Sequence, residues 1–165
     1  MRQALNNAQK ILSGKSNLIC AEIGVLRGEN SLEILTQWNE VKRLYLIEDF
    51  KEGNEYDGAC KRLLDYKEKI EWVMKSSKEA AKCFDDNFFD FIYLDAGHGY
   101  DSVKEDIESW HPKLKNGGVL CGHDYNPRWP SLEGVIRAVK EYANNNSLML
   151  YTDVLGSNSD WWWVK

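Results

Sequence analysis

Lysine and arginine are scattered through this chain of 165 residues, with no cluster of either, and the net charge is −5. A surface that tracks nucleic-acid phosphates normally leaves a basic footprint, so no nucleic-acid partner is expected. No apolar run approaches membrane-spanning length, and the N-terminus lacks a signal-peptide core. No membrane partner is expected either, and the expected compartment is the cytoplasm. The four cysteines (Cys20, Cys60, Cys83 and Cys121) form no C-x-x-C pair and no zinc spacing. They read as structural, with Cys20 and Cys121 acting as small apolar fillers of central strands. There is no internal repeat, linker or low-complexity tract. With 43% hydrophobic and 28% charged residues, the composition is that of one ordinary globular domain.

What the chain does have is a succession of short apolar runs separated by turns and helix-length amphipathic segments. An opening helix is expected over residues 2–13, with Leu5, Ala8, Ile11 and Leu12 on one face, ended by Gly14. Leu18 to Ile23 reads as a first strand, followed by a turn from Gly24 to Gly28. The next helix would be capped by Asn30, with Glu33 three residues on. A second strand, Arg43 to Ile47, ends at Glu48-Asp49. A polar loop, Lys51 to Asp57, precedes a helix carrying Cys60, Leu63, Leu64 and Tyr66. A third strand is expected over Ile70 to Met74, and Ser77 to Phe84 make one or two helical turns. The fourth strand, Phe89 to Leu94, stops at Asp95. Its helix is capped by Asp101 or Ser102, and Pro112 marks irregularity near the end. Gly117-Gly118 opens a fifth strand, Val119 to Gly122. After a loop from Asp124 to Pro130, a helix starts at Ser131 and ends at Asn144 to Asn146. Leu148 to Thr152 and Asp160 to Lys165 are two last strands around the turn Gly156 to Asn158. Three of the seven tryptophans are consecutive, Trp161 to Trp163. They read as a strand with aromatics packed on both faces rather than as a carbohydrate-binding surface. The whole predicts an α/β fold, a doubly wound Rossmann-like sheet, mostly parallel with one reversed strand.

Strand, glycine turn and helix form a device for bringing backbone amides close to a nucleotide-type ligand. Glu48, at the end of the second strand, is placed to accept ribose hydroxyls. Both features fit a dinucleotide or S-adenosylmethionine, and a tight turn without a ligand is the competing reading. A pyrophosphate fingerprint needs G-x-G-x-x-G. Here Gly24 and Gly28 stand alone, and Leu26 fills the middle position. Glu22 would repel a pyrophosphate while suiting an ammonium or sulfonium, so the spacing favours S-adenosylmethionine.

A second polar cluster lies past the fourth and fifth strands. Asp95 and Asp124 end strands that would be neighbours, and two close carboxylates repel unless a cation or proton sits between them. A hard divalent ion such as Mg²⁺ would satisfy both and lower the pKa of a bound hydroxyl. His98, in the turn after Asp95, could take the hydroxyl proton. The competing reading gives Asp95 to a cofactor ammonium, Asp124 to a loop cap and His98 to the turn. No third metal ligand is assigned, though Glu22 is within possible reach. His123 is expected to be a supporting group and His111 to face solvent. Arg128 and Trp129 are the candidates for contact with an acidic or ring-bearing substrate.

Glu22-Ile23-Gly24 with Gly28 and Ser31, the acid Glu48, YLDAGHGYDSVKEDI, and GGVLCGHDY followed by GVIRAVKEY together resemble the class I S-adenosylmethionine-dependent methyltransferases. The nearest branch is the small D-x-x-H…G-H-D-Y group. That group is similar to metal-dependent sugar and macrolide O-methyltransferases and to cephalosporin-hydroxylase-like proteins. The resemblance spans residues 18–143 and implies a seven-stranded sheet whose last strand is antiparallel. It implies that Glu22, Gly24 and Gly28 surround the methionine portion of the cofactor, Glu48 the ribose, and Lys75 to Ser77 (hence Ser76 and Ser77) the adenine. The expected activity is O-methylation of a small hydroxylated acceptor, such as a sugar or glycosylated metabolite, with Mg²⁺ assistance carried mostly by the resemblance. The family's substrate-covering extensions are largely missing, which leaves the site open or completed by a neighbour in a homo-oligomer. A nicotinamide-dependent oxidoreductase and a non-catalytic S-adenosylmethionine-binding or assembly protein are the alternatives.

Overall fold

The computed structural model describes residues 2–50, 55–153 and 159–165. Most of the expected loop at 51–57 and the turn at 156–158 lie outside the described residues. The elements, in order, are α1 (Gln3–Ile11), β1 (Leu18–Ile23), α2 (Glu29–Gln37), β2 (Val41–Ile47), α3 (Glu55–Arg62) and β3 (Ile70–Val73). There follow α4 (Ser77–Ala81), β4 (Phe89–Leu94), α5 (Tyr100–Trp110), β5 (Leu114–Gly122), α6 (Glu133–Asn145), β6 (Tyr151–Asp153) and β7 (Asp160–Val164). The strands form one seven-stranded sheet in the order β3-β2-β1-β4-β5-β7-β6. β1 to β5 run parallel, and β7 pairs antiparallel with both β5 and β6. This is the doubly wound sheet with a reversed last strand that the sequence predicts. The strand order reverses direction between β1 and β4, the switch point where such sheets bind ligands. Among the described residues no helix is long and apolar enough to cross a membrane.

Side-chain alternation divides the core into two layers, one on each face of the sheet. On one face α4, α5 and α6 pack Ala80, Ile107, Trp110, Val135 and Val139 against Ile23, Phe89, Ile92, Leu120, Trp161 and Trp163. On the other, α1 and α2 pack Leu5, Ala8, Ile34 and Trp38 against Cys20, Leu44, Phe91, Tyr93, Cys121 and Trp162. The three consecutive tryptophans thus split between the layers, all of them buried. β4 is buried at every position, as a central parallel strand should be.

Several local expectations are corrected. α2 begins at Glu29, after Gly28 in the left-handed conformation, so Asn30 lies inside the helix and does not cap it. Gly99 occupies the cap position of α5, and the Ser102 hydroxyl donates to its carbonyl at 2.9 Å. Leu64 and Ile11 are exposed, Leu64 because α3 gives way to a 3-10 turn at Leu64–Tyr66. β5 starts at Leu114, and a register shift against β4 absorbs Gly117 and Gly118. β6 starts only at Tyr151, and α6 at Glu133 behind a 3-10 turn at Pro130–Leu132. His111 does not face solvent. Its Nδ1 lies 2.8 Å from the Tyr142 hydroxyl, and burial lowers its pKa to about 4.

Gly122, the last residue of β5, has no room for a side chain. A Cβ there would sit 2.6 Å from the Trp161 ring and 2.8 Å from the Leu94 carbonyl oxygen. We expect Gly122→Ala to destabilise the fold by about 1–3 kcal/mol, the usual cost of overpacking. Urea denaturation would measure it, and an unchanged midpoint would show that β5 and β7 can separate without cost.

Candidate active site at the carboxyl ends of the central strands

The bend after β1 is built by a carboxylate from the next strand. One oxygen of Glu48, Oε2, accepts the amides of Val25 (2.9 Å) and Leu26 (3.0 Å), and Oε1 accepts that of Asp49 (3.0 Å). A carboxylate offers about four acceptor sites, so one remains for a further donor. Leu26, in the place of the missing middle glycine, adopts a left-handed conformation with φ 48°. A non-glycine residue there is strained, and the Glu48 bond to its amide offsets part of that cost. Gly24, φ +85°, is needed for closeness. A Cβ on it would lie 2.2 Å from the Asp95 carbonyl oxygen, so only glycine lets the ends of β1 and β4 meet. Gly28, φ +71°, turns the chain into α2 beneath Leu63, whose Cδ1 would be 3.1 Å from an added Cβ.

Two clefts open on either side of this bend, sharing Gly24, Leu26, Glu48 and Ala96. The larger, about 990 Å³, lies over β1, β2 and β3 and is lined by Asp49, Lys75, Ser76, Ser77, Gly97 and Asp106 among others. Ser77 donates to Asp106 and accepts the Trp110 indole N–H at 2.9 Å. Burial raises the Asp106 pKa to about 6. The smaller cleft, about 530 Å³, faces β4 and β5 and is lined by Arg2, Asn30, Asp95, His98, His123 and Asp124 with the bend.

In this second cleft the sequence-predicted cluster comes together. His98 Nε2 lies 2.9 Å from Asp124 Oδ2, and His123 Nδ1 lies 2.8 Å from Asp124 Oδ1 and 3.9 Å from Asp95 Oδ1. Asp124 therefore stands between two imidazoles, in a left-handed backbone conformation of φ 62°. The hydrogen bond from His123 holds the Asp124 pKa below its usual value, whereas burial raises that of Asp95. Asn30 donates its side-chain amide to Asp95 Oδ2 at 3.0 Å. Asp95, His98 and Asp124 can each offer one ligand atom within 4.8 Å of the others, a spacing that fits a divalent ion. Two carboxylates suit Mg²⁺, while an imidazole suits a first-row transition ion better.

Other candidates lie elsewhere. Glu22 is fully enclosed and reaches neither cleft; it accepts the Ser31 hydroxyl, and its Oε1 makes no hydrogen bond of good geometry among the described residues. Arg128 and Trp129 line neither cleft, and Trp129 is 62% exposed. Arg2, Asn30 and Asp106 escaped sequence reading. Asn30 had one signal, its place two residues after Gly28. Arg2 had none, because only the sheet brings α1 to β4.

Residues 21–125 match a family described as a methyltransferase domain. The chain belongs to that family. Its fold is shared with an O-methyltransferase from Bacillus cereus solved with SAH (S-adenosylhomocysteine): TM-score 0.74, 16% identity, covering 98% of this chain and 80% of that one. It is similar also to a precorrin-6y C5,15-methyltransferase from Geobacter metallireducens, with TM-score 0.73, 14% identity and coverage of 98% and 86%. A SAM-dependent O-methyltransferase from Thermotoga maritima follows at TM-score 0.70, 13% identity and coverage of 98% and 64%. No curated protein sequence matches the chain. The methyltransferase chain is accordingly a class I, S-adenosylmethionine-dependent transferase in fold and family, and the nicotinamide alternative is set aside.

The methyltransferase keeps Glu22 protonated at neutral pH, since burial raises its pKa from 4.5 to about 8. The folded chain then holds this proton more tightly than the unfolded one. That stability is fully present below pH 4.5 and is lost as the pH rises through 8. Glu22→Gln should lose less stability than the wild type across this window and exceed it by about 2 kcal/mol at pH 9. Urea midpoints at pH 5, 7 and 9 would measure the difference, and parallel pH profiles in both proteins would refute the assignment.

Proposed function

We propose that the protein transfers a methyl group from S-adenosylmethionine to a hydroxyl of a small acceptor. The observation that carries this reading is the His98–Asp124 pair at 2.9 Å, set in a cleft that meets the larger cleft across the Gly24–Leu26 bend. The larger cleft has the polar edge an adenosine needs. Glu48 keeps an acceptor site for a ribose hydroxyl, and Ser76, Ser77 and Asp106 offer donors and acceptors beside the purine. Gly24 and the backbone of the bend wall the methionine portion, with Asp95 on the ammonium side. Glu22 supports this from beneath by holding Ser31 of α2.

When bound, the cofactor supplies an electrophilic methyl group on a sulfonium. The chain's own work is to hold the acceptor oxygen in line and to take its proton. Asp124 accepts the Nε2–H of His98, which leaves Nδ1 as the base, and it then stabilises the imidazolium formed. His123 fixes the other carboxylate oxygen, so Asp124 cannot turn away. His98 is 53% exposed in its side chain and so is open to an incoming hydroxyl. The open reaction cleft speaks against the non-catalytic alternative, whose acceptor side would be filled by side chains.

A divalent ion held by Asp95, Asp124 and His98 is the second reading, favoured by the convergence of their ligand atoms. It would polarise the acceptor oxygen. The His98 nitrogen that binds an ion cannot also donate to Asp124, so the two readings differ in what removal of metal does.

Both are tested by following labelled methyl transfer to a panel of hydroxylated acceptors, with and without EDTA. His98→Ala and Asp124→Asn should each lower kcat by about 10²–10⁴-fold while leaving SAH affinity intact. Full turnover in both variants would remove the assigned chemistry even if the cofactor binds. Loss with EDTA and recovery with added metal would favour the ion, and indifference to EDTA the unaided base.

A further inference from the structure

We infer that Arg2 is the anchor for the carboxylate of the cofactor's methionine portion, an assignment that rests on the methyltransferase reading above. That portion is a zwitterion, with an ammonium and a carboxylate on one carbon. A cleft receiving it must meet both charges, because a charge taken from water without a partner is costly. Beside the bend, Asp95 serves the ammonium. Asp95 and Asp124 together repel the carboxylate unless a cation stands close by. Two arginines line the reaction cleft, Arg2 and Arg27. Arg27 is exposed at the outer tip of the bend, where water screens its charge.

Arg2 is differently placed. Its backbone amide donates to Glu33 Oε1 at 2.7 Å, and the amide of Ala4 donates to Asp160 Oδ2 at 3.3 Å, so the start of α1 is pinned to β7. Its guanidinium meets Asp160 through Nη1 at 3.4 Å and lies 6.0 Å from the centre of the Tyr93 ring. Asp160 is completely buried and is the one side-chain acceptor of the Arg2 guanidinium among the described residues. A guanidinium has about five N–H donors, of which this contact uses one. The rest of a planar fork that suits a carboxylate remains unspent on the wall of the reaction cleft. Because helix and ion pair hold Arg2 in place before a ligand arrives, little side-chain freedom is lost on binding.

The test is calorimetric titration of the full chain with SAH and with its decarboxylated amine analogue, which keeps adenosine, sulfur and ammonium. Arg2→Gln should weaken SAH about tenfold or more and change the analogue by less than about twofold. Arg2→Lys, which keeps the charge but not the fork, should fall between. Since Arg2→Gln leaves Asp160 buried without its partner, the double variant Arg2→Gln/Asp160→Asn removes that charge as well and should show the same selective loss. Equal losses on both ligands, or none on either, would overturn the assignment while the methyltransferase reading stands. A wild-type chain that binds neither ligand would overturn both.

Discussion

The two hydrogen bonds that Glu48 accepts from the amides of Val25 and Leu26 organise the carboxyl edge of the sheet. They hold a bend that lacks the usual middle glycine, and they hold it in a conformation a leucine disfavours. With the bend in place, the ends of β1 and β4 approach until Gly24 touches the Asp95 backbone, and the edge of the sheet opens into two clefts with a shared wall. An acid at the end of β2 thus has a structural duty before it has any duty to a ribose. The two are compatible because a carboxylate has more acceptor sites than the bend consumes.

Acidic groups crowd this edge, and each is handled differently. Asp124 stays charged between two imidazoles, Asp160 faces Arg2, and Asp95 shares the Asn30 amide. Glu22 is the most deeply buried, and burial outweighs the pull of Arg2, so it keeps a proton instead. Desolvation and pairing therefore pull these carboxyls apart in acidity, which is how an ionised Asp124 can stand at the sheet edge above a neutral, buried Glu22.

The sheet and its reversed last strand were legible because they follow from periodicity. Apolar runs of strand length, separated by amphipathic helices, leave few topologies, and a tryptophan triplet can be buried only if its residues alternate between two core layers. The cluster of Asp95, His98 and Asp124 was legible for the same reason, since each follows a strand end and β4 and β5 are neighbours. Caps and boundaries were less so. Asn30 has a cap's chemistry but sits two residues too late, because left-handed Gly28 takes the cap position first. His111 looks like a surface residue until Tyr142 of α6 covers it.

By itself the sequence determined the class of fold, the order of its strands' ends and the residue types that meet there, because these depend on spacing along one chain. Only the tertiary structure decided which oxygen faces which nitrogen at Asp124, that Glu48 ties down the bend, that Glu22 is sealed away, and that Arg2 reaches the smaller cleft from the far end of the chain. Those facts depend on contacts between residues up to 158 positions apart. Packing sets such contacts, and no local pattern records them.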